Sequence, residues 1–191
     1  MATKGAMVEP FSQGISGQVA LMKEDREWTG ILGSWLSRKD AAVSLVGVGN
    51  PIRRDNGVGL EIAAGLRRLL GPHPAPGVSI PRPTRNPERL VSEIAHRRDA
   101  MVIFDAVEAS RPPGTIVCAP LGSTKYGLFA THNVPLKVFP AVAANVDRML
   151  MVGVQPYDLE VGEGLSHIAS NARDQVVREV AGLIGGGRPR T

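Results

Sequence analysis

The 191-residue chain predicts an α/β domain: a mostly parallel sheet covered by helices on both faces. Three observations carry this. Short apolar runs at 42–48, 99–105 and 150–154 read as strands buried on both sides. Segments of ten or more residues with helical apolar spacing separate them, as crossover helices would. Gly and Pro fall between the periodic stretches, where turns belong.

The elements follow in order. Residues 1–20 are small, polar and without period, and read as an extension. Residues 22–37 place Met22, Trp28, Ile31, Leu32, Trp35 and Leu36 near one helical face, which predicts an amphipathic helix packing on the main domain. Ala42–Val48 is the first strand. Val58–Leu70 is a helix ended by Gly71-Pro72, with Asp55 or Asn56 placed to cap a helix starting at Gly57. Val78–Ile80 is a short strand. Pro87–Arg97 has Pro at a helix start and apolar Leu90, Val91, Ile94 and Ala95 behind it. Asp99–Asp105 is a buried strand ending in a carboxylate, and Gly114–Ala119 is another strand. Val134–Met149 is helix-like, kinked at Pro140. Leu150–Val154 is a strand. Ser166–Ile184 is a long helix capped by Ser166 and stopped by Gly185–Gly187. The expected division is an N-terminal extension with one helix (1–38), a single α/β domain (39–187) and a basic tail (188–191).

Composition excludes several classes. Hydrophobic residues at 43% and charged residues at 21% are ordinary for a globular protein. No apolar run approaches the roughly 18 residues of a membrane helix, and polar residues interrupt the N-terminus where a secretory signal would be apolar. A cytoplasmic location is therefore expected. The single cysteine, Cys118, permits neither an intrachain disulfide nor a cysteine zinc site. The net charge of +4 and 4% aromatic residues lack the dense basic stripe or stacking platform of a nucleic-acid binder.

Chemistry in an open parallel sheet gathers at the carboxyl ends of strands, and three places there stand out. The first is Gly47-Val-Gly49-Asn50-Pro51-Ile-Arg-Arg-Asp55-Asn56-Gly57-Val-Gly59. It is not a dinucleotide loop: the third glycine position of Gly-x-Gly-x-x-Gly is Ile52, and Pro51 has no N–H to donate. It is not a P-loop either. The functional reading is a polar site; the structural one is a tight turn with Asp55 and Asn56 as caps. The second is Asp105, as metal ligand, acid/base group or turn carboxylate. The third is His132 in Thr131-His132-Asn133-Val134-Pro135-Leu136, as metal ligand, general base or loop residue. No Gly-x-Ser-x-Gly elbow supports a serine hydrolase, and no catalytic nucleophile is identified. Oxygen ligands and one imidazole from three loops make a set suited to a hard-to-borderline cation.

The first motif, the strand ending in Asp105, the Thr131-His132-Asn133-x-Pro135-Leu136 segment and Gly153-Val-Gln155-Pro156 occur in the order found in [NiFe] hydrogenase maturation proteases. The chain resembles that family over residues 40–185, closest to the branch serving formate-hydrogenlyase-type (hydrogenase 3) and energy-converting enzymes. The resemblance implies a three-layer fold with a twisted, mostly parallel five-stranded sheet (phosphorylase/hydrolase-like). It implies an endopeptidase that trims the C-terminal extension of a nickel-loaded large-subunit precursor, acting as a monomer without nucleic acid or membrane. It also implies a metal site made by Asn56, Asp105 and His132, with Asp55 as support. The ion is nickel brought by the substrate, or another divalent metal at the same place. The family has an acidic residue where this chain has Asn56. That departure leaves open a variant that still binds the substrate's nickel, a binding-only maturation chaperone, and an altered residue.

Overall fold

The computed structural model describes residues 27–37, 42–83, 93, 99–121, 129–130 and 146–185. Its elements run α1 (Glu27–Leu36), β1 (Val43–Gly47), a 3₁₀ turn (Arg54–Gly57), α2 (Val58–Leu70), β2 (Val78–Ser79), β3 (Ala100–Glu108), β4 (Ile116–Pro120), β5 (Phe129–Ala130), a second 3₁₀ turn (Val146–Arg148), β6 (Met149–Val154) and α3 (His167–Gly185).

Five strands lie in the order β2-β1-β3-β6-β4, and the two-residue β5 adds to β3. β2, β1, β3 and β6 are parallel; β4 runs antiparallel to β6, and β5 antiparallel to β3. The apolar runs read from the sequence are the central strands. All of β1 and β6 is buried, as is β3 up to Val107, because a parallel sheet is covered on both faces. The edge strand β4 instead alternates half-buried and buried residues. The five-stranded, mostly parallel sheet expected from the family resemblance is therefore present.

Side chains on β3 alternate between the faces. Val102 and Phe104 join Leu45 of β1 and Val152 of β6 in one core with Leu32 of α1, Ile62 and Leu66 of α2, and Val176 and Val180 of α3. All three described helices thus pack on the same side of the sheet. Met101, Ile103 and Asp105 occupy the other side and are fully buried too. The helices expected to cover that side, 87–97 and 134–149, lie largely outside the described residues; of the first, only Glu93 is described, and it is helical.

Helix α1 contributes Trp28 and Leu32 to the shared core, packing on β4, β6 and α3. Helix α2 ends as expected. Gly71 takes φ +82°, a left-handed conformation, and its N–H bonds the Arg67 carbonyl. The Ser166 cap of α3 is also present: its Oγ accepts the Ala169 N–H at 3.2 Å.

Three local expectations are corrected. Asp105 is not the last residue of its strand, since β3 continues to Glu108 through pairing with β6 and β5. It does lie just past the last pair with β1, Gly47–Phe104. Asp55 and Asn56 do not cap α2, because residues 54–57 form a 3₁₀ turn first and neither end of it has a side-chain cap. Met149 is the first residue of β6 rather than the last of a helix, and a 3₁₀ turn directly precedes it.

Candidate functional site

The connection from β1 leads to β2 on one side, whereas β3 lies on the other. A crevice opens at the carboxyl ends of strands where the order diverges in this way. Here the order diverges between β1 and β3, and the 48–57 loop follows β1 while Asp105 lies one residue past the last β1–β3 pair.

The glycines of that loop permit close approach. A Cβ on Gly59 would lie 2.6 Å from the Phe104 carbonyl carbon and closer still to the Phe104 and Val48 oxygens. One on Gly47 would lie 2.6 Å from the Ala63 Cβ. The first turn of α2 therefore sits directly on β1 and β3. The Val48 N–H donates to the Phe104 carbonyl at 2.8 Å and closes the junction. The 3₁₀ turn packs against β3 as a result.

Asp55 is fully buried. Its Oδ2 accepts the Tyr157 N–H at 2.9 Å, the Asp158 N–H at 3.0 Å and the Ser166 hydroxyl at 2.8 Å. Its Oδ1 accepts the Ser166 N–H at 2.6 Å. Four donors satisfy the carboxylate, and the negative charge lies at the N-terminus of α3, where the helix dipole favours it. Main-chain bonds lie alongside: Arg54 N–H to the Gly162 carbonyl at 3.0 Å, Asp55 N–H to Asp158 at 3.1 Å and Gly162 N–H to Ile52 at 2.9 Å.

Asn56 is buried, with 2% of its surface exposed. Its Oδ1 accepts the Asn50 N–H at 2.8 Å. An N–H aimed at that atom requires it to be oxygen, so the other end of the amide is the NH₂ group, which only donates. A carboxylate here would accept Asn50 with one oxygen and present the whole of the other.

Asp105 is fully buried beside Gly153 of β6, its partner in register. Its Oδ1 accepts the Ala106 N–H at 2.8 Å. Asn56 and Asp105, from separate motifs, thus stand buried on elements that touch. His132 lies outside the described residues. Among the described residues, no group of three or more His, Cys, Asp and Glu side chains is placed to hold a metal ion.

Two side chains have roles that the sequence reading did not assign. Gln155 is 4% exposed. Its Oε1 accepts the Ala109 N–H at 2.8 Å and the Arg111 N–H at 3.3 Å, while its amide donates to Glu108 Oε1 at 3.0 Å. It pins the turn between β3 and β4. The signal was a lone amide directly after a wholly apolar strand, where a buried polar group must serve a nearby backbone. Ser166 serves Asp55 as well as its own helix. Its second bond spans 111 residues and has no local signature. Cys118 is a partly buried thiol whose pKa burial pushes up to about 12, which makes it a poor nucleophile.

No family model matches the chain. The hydrogenase expression/formation protein HupD of Thiocapsa roseopersicina is 28% identical over 131 residues, covering 64% of this chain and 58% of that protein. The chain therefore spans little more than half the length of this curated relative. Among solved structures, the [NiFe] hydrogenase maturation protease HycI from Thermococcus kodakarensis KOD1 matches with a TM-score of 0.66 at 22% identity, over 81% of this chain and 99% of that one. The fold is that of the [NiFe] hydrogenase maturation proteases. The maturating endopeptidase HybD from Escherichia coli matches it too, with a TM-score of 0.56 at 21% identity over 76% and 93% of the two chains. The family resemblance read from the four motifs holds in sequence and in fold. On this maturation-protease fold, the 47–59 signature forms the crevice turn. Gly153 lies beside Asp105, and Gln155 anchors the neighbouring loop.

No helix among the described residues is long and apolar enough to cross a membrane.

Proposed function

We propose that this chain is an endopeptidase that removes the C-terminal extension of a nickel-loaded [NiFe] hydrogenase large-subunit precursor, acting as a cytoplasmic monomer. One observation supports this most. Asn56 and Asp105, each from a motif of the maturation-protease resemblance, are both buried, and the 3₁₀ turn and the strand that carry them pack on each other. His132 completes the proposed set. An imidazole and a carboxylate suit nickel. With Asn56 Oδ1 already shared with Asn50, the set favours brief docking of an ion carried by the substrate over permanent retention. Docking would fix the precursor's C-terminal segment against the crevice, and orientation of the peptide bond is then the main contribution of the protein. No residue is assigned as nucleophile.

Asn56 favours a second reading, a maturation chaperone that grips the precursor without cutting it. A neutral ligand draws a divalent cation less than a carboxylate does. The test is to incubate the protein with nickel-loaded, C-terminally extended precursor and record intact masses, alongside Asn56→Asp and Asp105→Ala. Loss of the C-terminal peptide with the natural chain, abolished by Asp105→Ala, is the expected result. Cleavage by Asn56→Asp alone would establish the binding-only reading. Cleavage untouched by Asp105→Ala would remove Asp105 from the site.

A further inference from the structure

We infer that Asp55 is a positioning residue: its buried carboxylate, with Ser166 as partner, clamps the 157–166 loop and the start of α3 onto the 54–57 turn and so sets where Asn56 stands in the crevice. For its catalytic consequence this rests on the proteolytic reading; its structural core does not.

Three features carry the inference. Asp55 and Asn56 are adjacent, yet their side chains are held by different parts of the fold. The Asp55 carboxylate bonds groups at 157, 158 and 166, whereas Asn56 Oδ1 bonds the Asn50 N–H. The turn is thus held from two directions through neighbouring residues. Second, Arg54 immediately before it has φ +43°. That conformation is unfavourable for a side chain with a Cβ, and it persists only where surrounding contacts over-determine it. The Asp55 bonds, together with the Arg54 N–H to Gly162 and the Arg54 Nε–Asp158 Oδ2 ion pair at 3.3 Å, supply that constraint. Third, the Asp55 carboxylate is satisfied by donors of the protein itself, three of them backbone or hydroxyl groups of residues 158 and 166. Its chemistry is that of a clamp rather than the ligand support read from the sequence.

An amide at 55 cannot reproduce this. Asn offers one acceptor oxygen and sets an NH₂ group against N–H donors. Removing the Ser166 hydroxyl is milder at Asp55, since it deletes one of the four bonds and leaves the backbone donors, though it also removes the acceptor of the Ala169 N–H.

The test compares the wild type with Ser166→Ala, Asp55→Asn and the control Val176→Ala, which weakens the buried face of α3 away from the clamp. Two quantities are read: the side-chain amide resonances of Asn56 by NMR, and precursor cleavage as kcat and KM. The expected result is that Ser166→Ala and Asp55→Asn shift the Asn56 amide and lower kcat, about tenfold or more for a displaced reacting geometry, with KM little changed. Val176→Ala should lower the melting temperature but move neither. If Asp55→Asn does not fold, Ser166→Ala decides. An unmoved Asn56 amide in Ser166→Ala, or an equal shift in Val176→Ala, would overturn the inference. If the amide shifts as expected but even the wild type cuts no precursor, the positioning role stands and the proteolytic reading fails.

Discussion

Gly59→Ala tests the junction on which the whole site is built. The new methyl would sit 2.6 Å from the Phe104 carbonyl carbon, against van der Waals distances of about 3.5–4.0 Å for carbon pairs. Nearer still are the carbonyl oxygens of Phe104 and Val48, and both are backbone in buried strands or their immediate continuation. Neither can swing aside as a flexible side chain would. The first turn of α2 must therefore lift from β3 by about 1 Å to restore normal contact. Overpacking costs typically 1–3 kcal/mol where side chains can adjust. With rigid backbone on both sides, the upper end, about 3 kcal/mol, is expected. For a chain of this size that is a fall of about 6–12 °C in melting temperature, measured by calorimetry or circular dichroism. The natural counterpart is Gly182→Ala. Gly182 is exposed in α3, and a Cβ there meets nothing within 4 Å. Helix propensity alone then predicts a gain of about 0.5–1 kcal/mol. The pair separates steric from entropic effects at two helical glycines. A Gly59→Ala midpoint within about 2 °C of the wild type (less than about 1 kcal/mol) would refute the close-approach argument.

Leu32→Ala removes a fully buried side chain of α1 and should cost about 2–5 kcal/mol, seen in urea unfolding; a loss under about 1 kcal/mol would mean that α1 is not part of the core. Asn56→Asp frees a carboxylate oxygen while the other keeps the Asn50 N–H, so nickel affinity by isothermal titration should rise, and unchanged affinity would separate residue 56 from the metal. Gln155→Ala leaves the Ala109 and Arg111 N–H groups without their acceptor and should destabilise by about 1–3 kcal/mol, with thermal unfolding as the measure. Cys118 has a folded pKa of about 12 against 9.0 for the free thiol. The folded state therefore favours the protonated form. Its contribution is fully present below pH 9 and is lost as pH rises from 9 toward 12. At pH 8, alkylation by iodoacetamide should be slow in the native protein and fast after denaturation, and equal rates would show the thiol to be accessible and ionised.

What the sequence made legible follows from where each determinant lies along the chain. Central strands were readable because burial on both faces leaves almost nothing but apolar residues. β1, β3 and β6 are such runs. Helix ends were readable where the cap is local, as at Gly71 and Ser166. The 3₁₀ turn at 54–57 was not. Its bonds go to residues 158 and 162, more than a hundred positions away, so the local pattern suggested a helix cap instead. The continuation of β3 past Asp105 was hidden for the same reason. A carboxylate after four apolar residues looks like a strand end, but partners on β6 and β5 extend the ladder to Glu108.

The site divides in the same way. Asp105 stood out as a carboxylate closing an apolar strand, where chemistry gathers in a parallel sheet, whereas Asn56 was marked as a ligand by the family resemblance alone. Asp55 stood out too, as a helix cap and as a support to the site, and the cap is absent. Its residue type and place next to Asn56 suggested a ligand or a cap, and only the folded chain supplies the four donors that enclose it. The two neighbours divide the work. A carboxylate surrounded by donors is a poor partner for an ion, because its lone pairs are committed, and a good fixed point for a turn. A neutral amide is a weaker ligand for a cation than a carboxylate and needs to be held in place. The carboxylate serves the scaffold, and the amide is the group proposed to meet the ion. On the proposed reading, that arrangement would suit a site that meets its metal only when a substrate brings it, because a strong resident set would hold an ion before the precursor arrived.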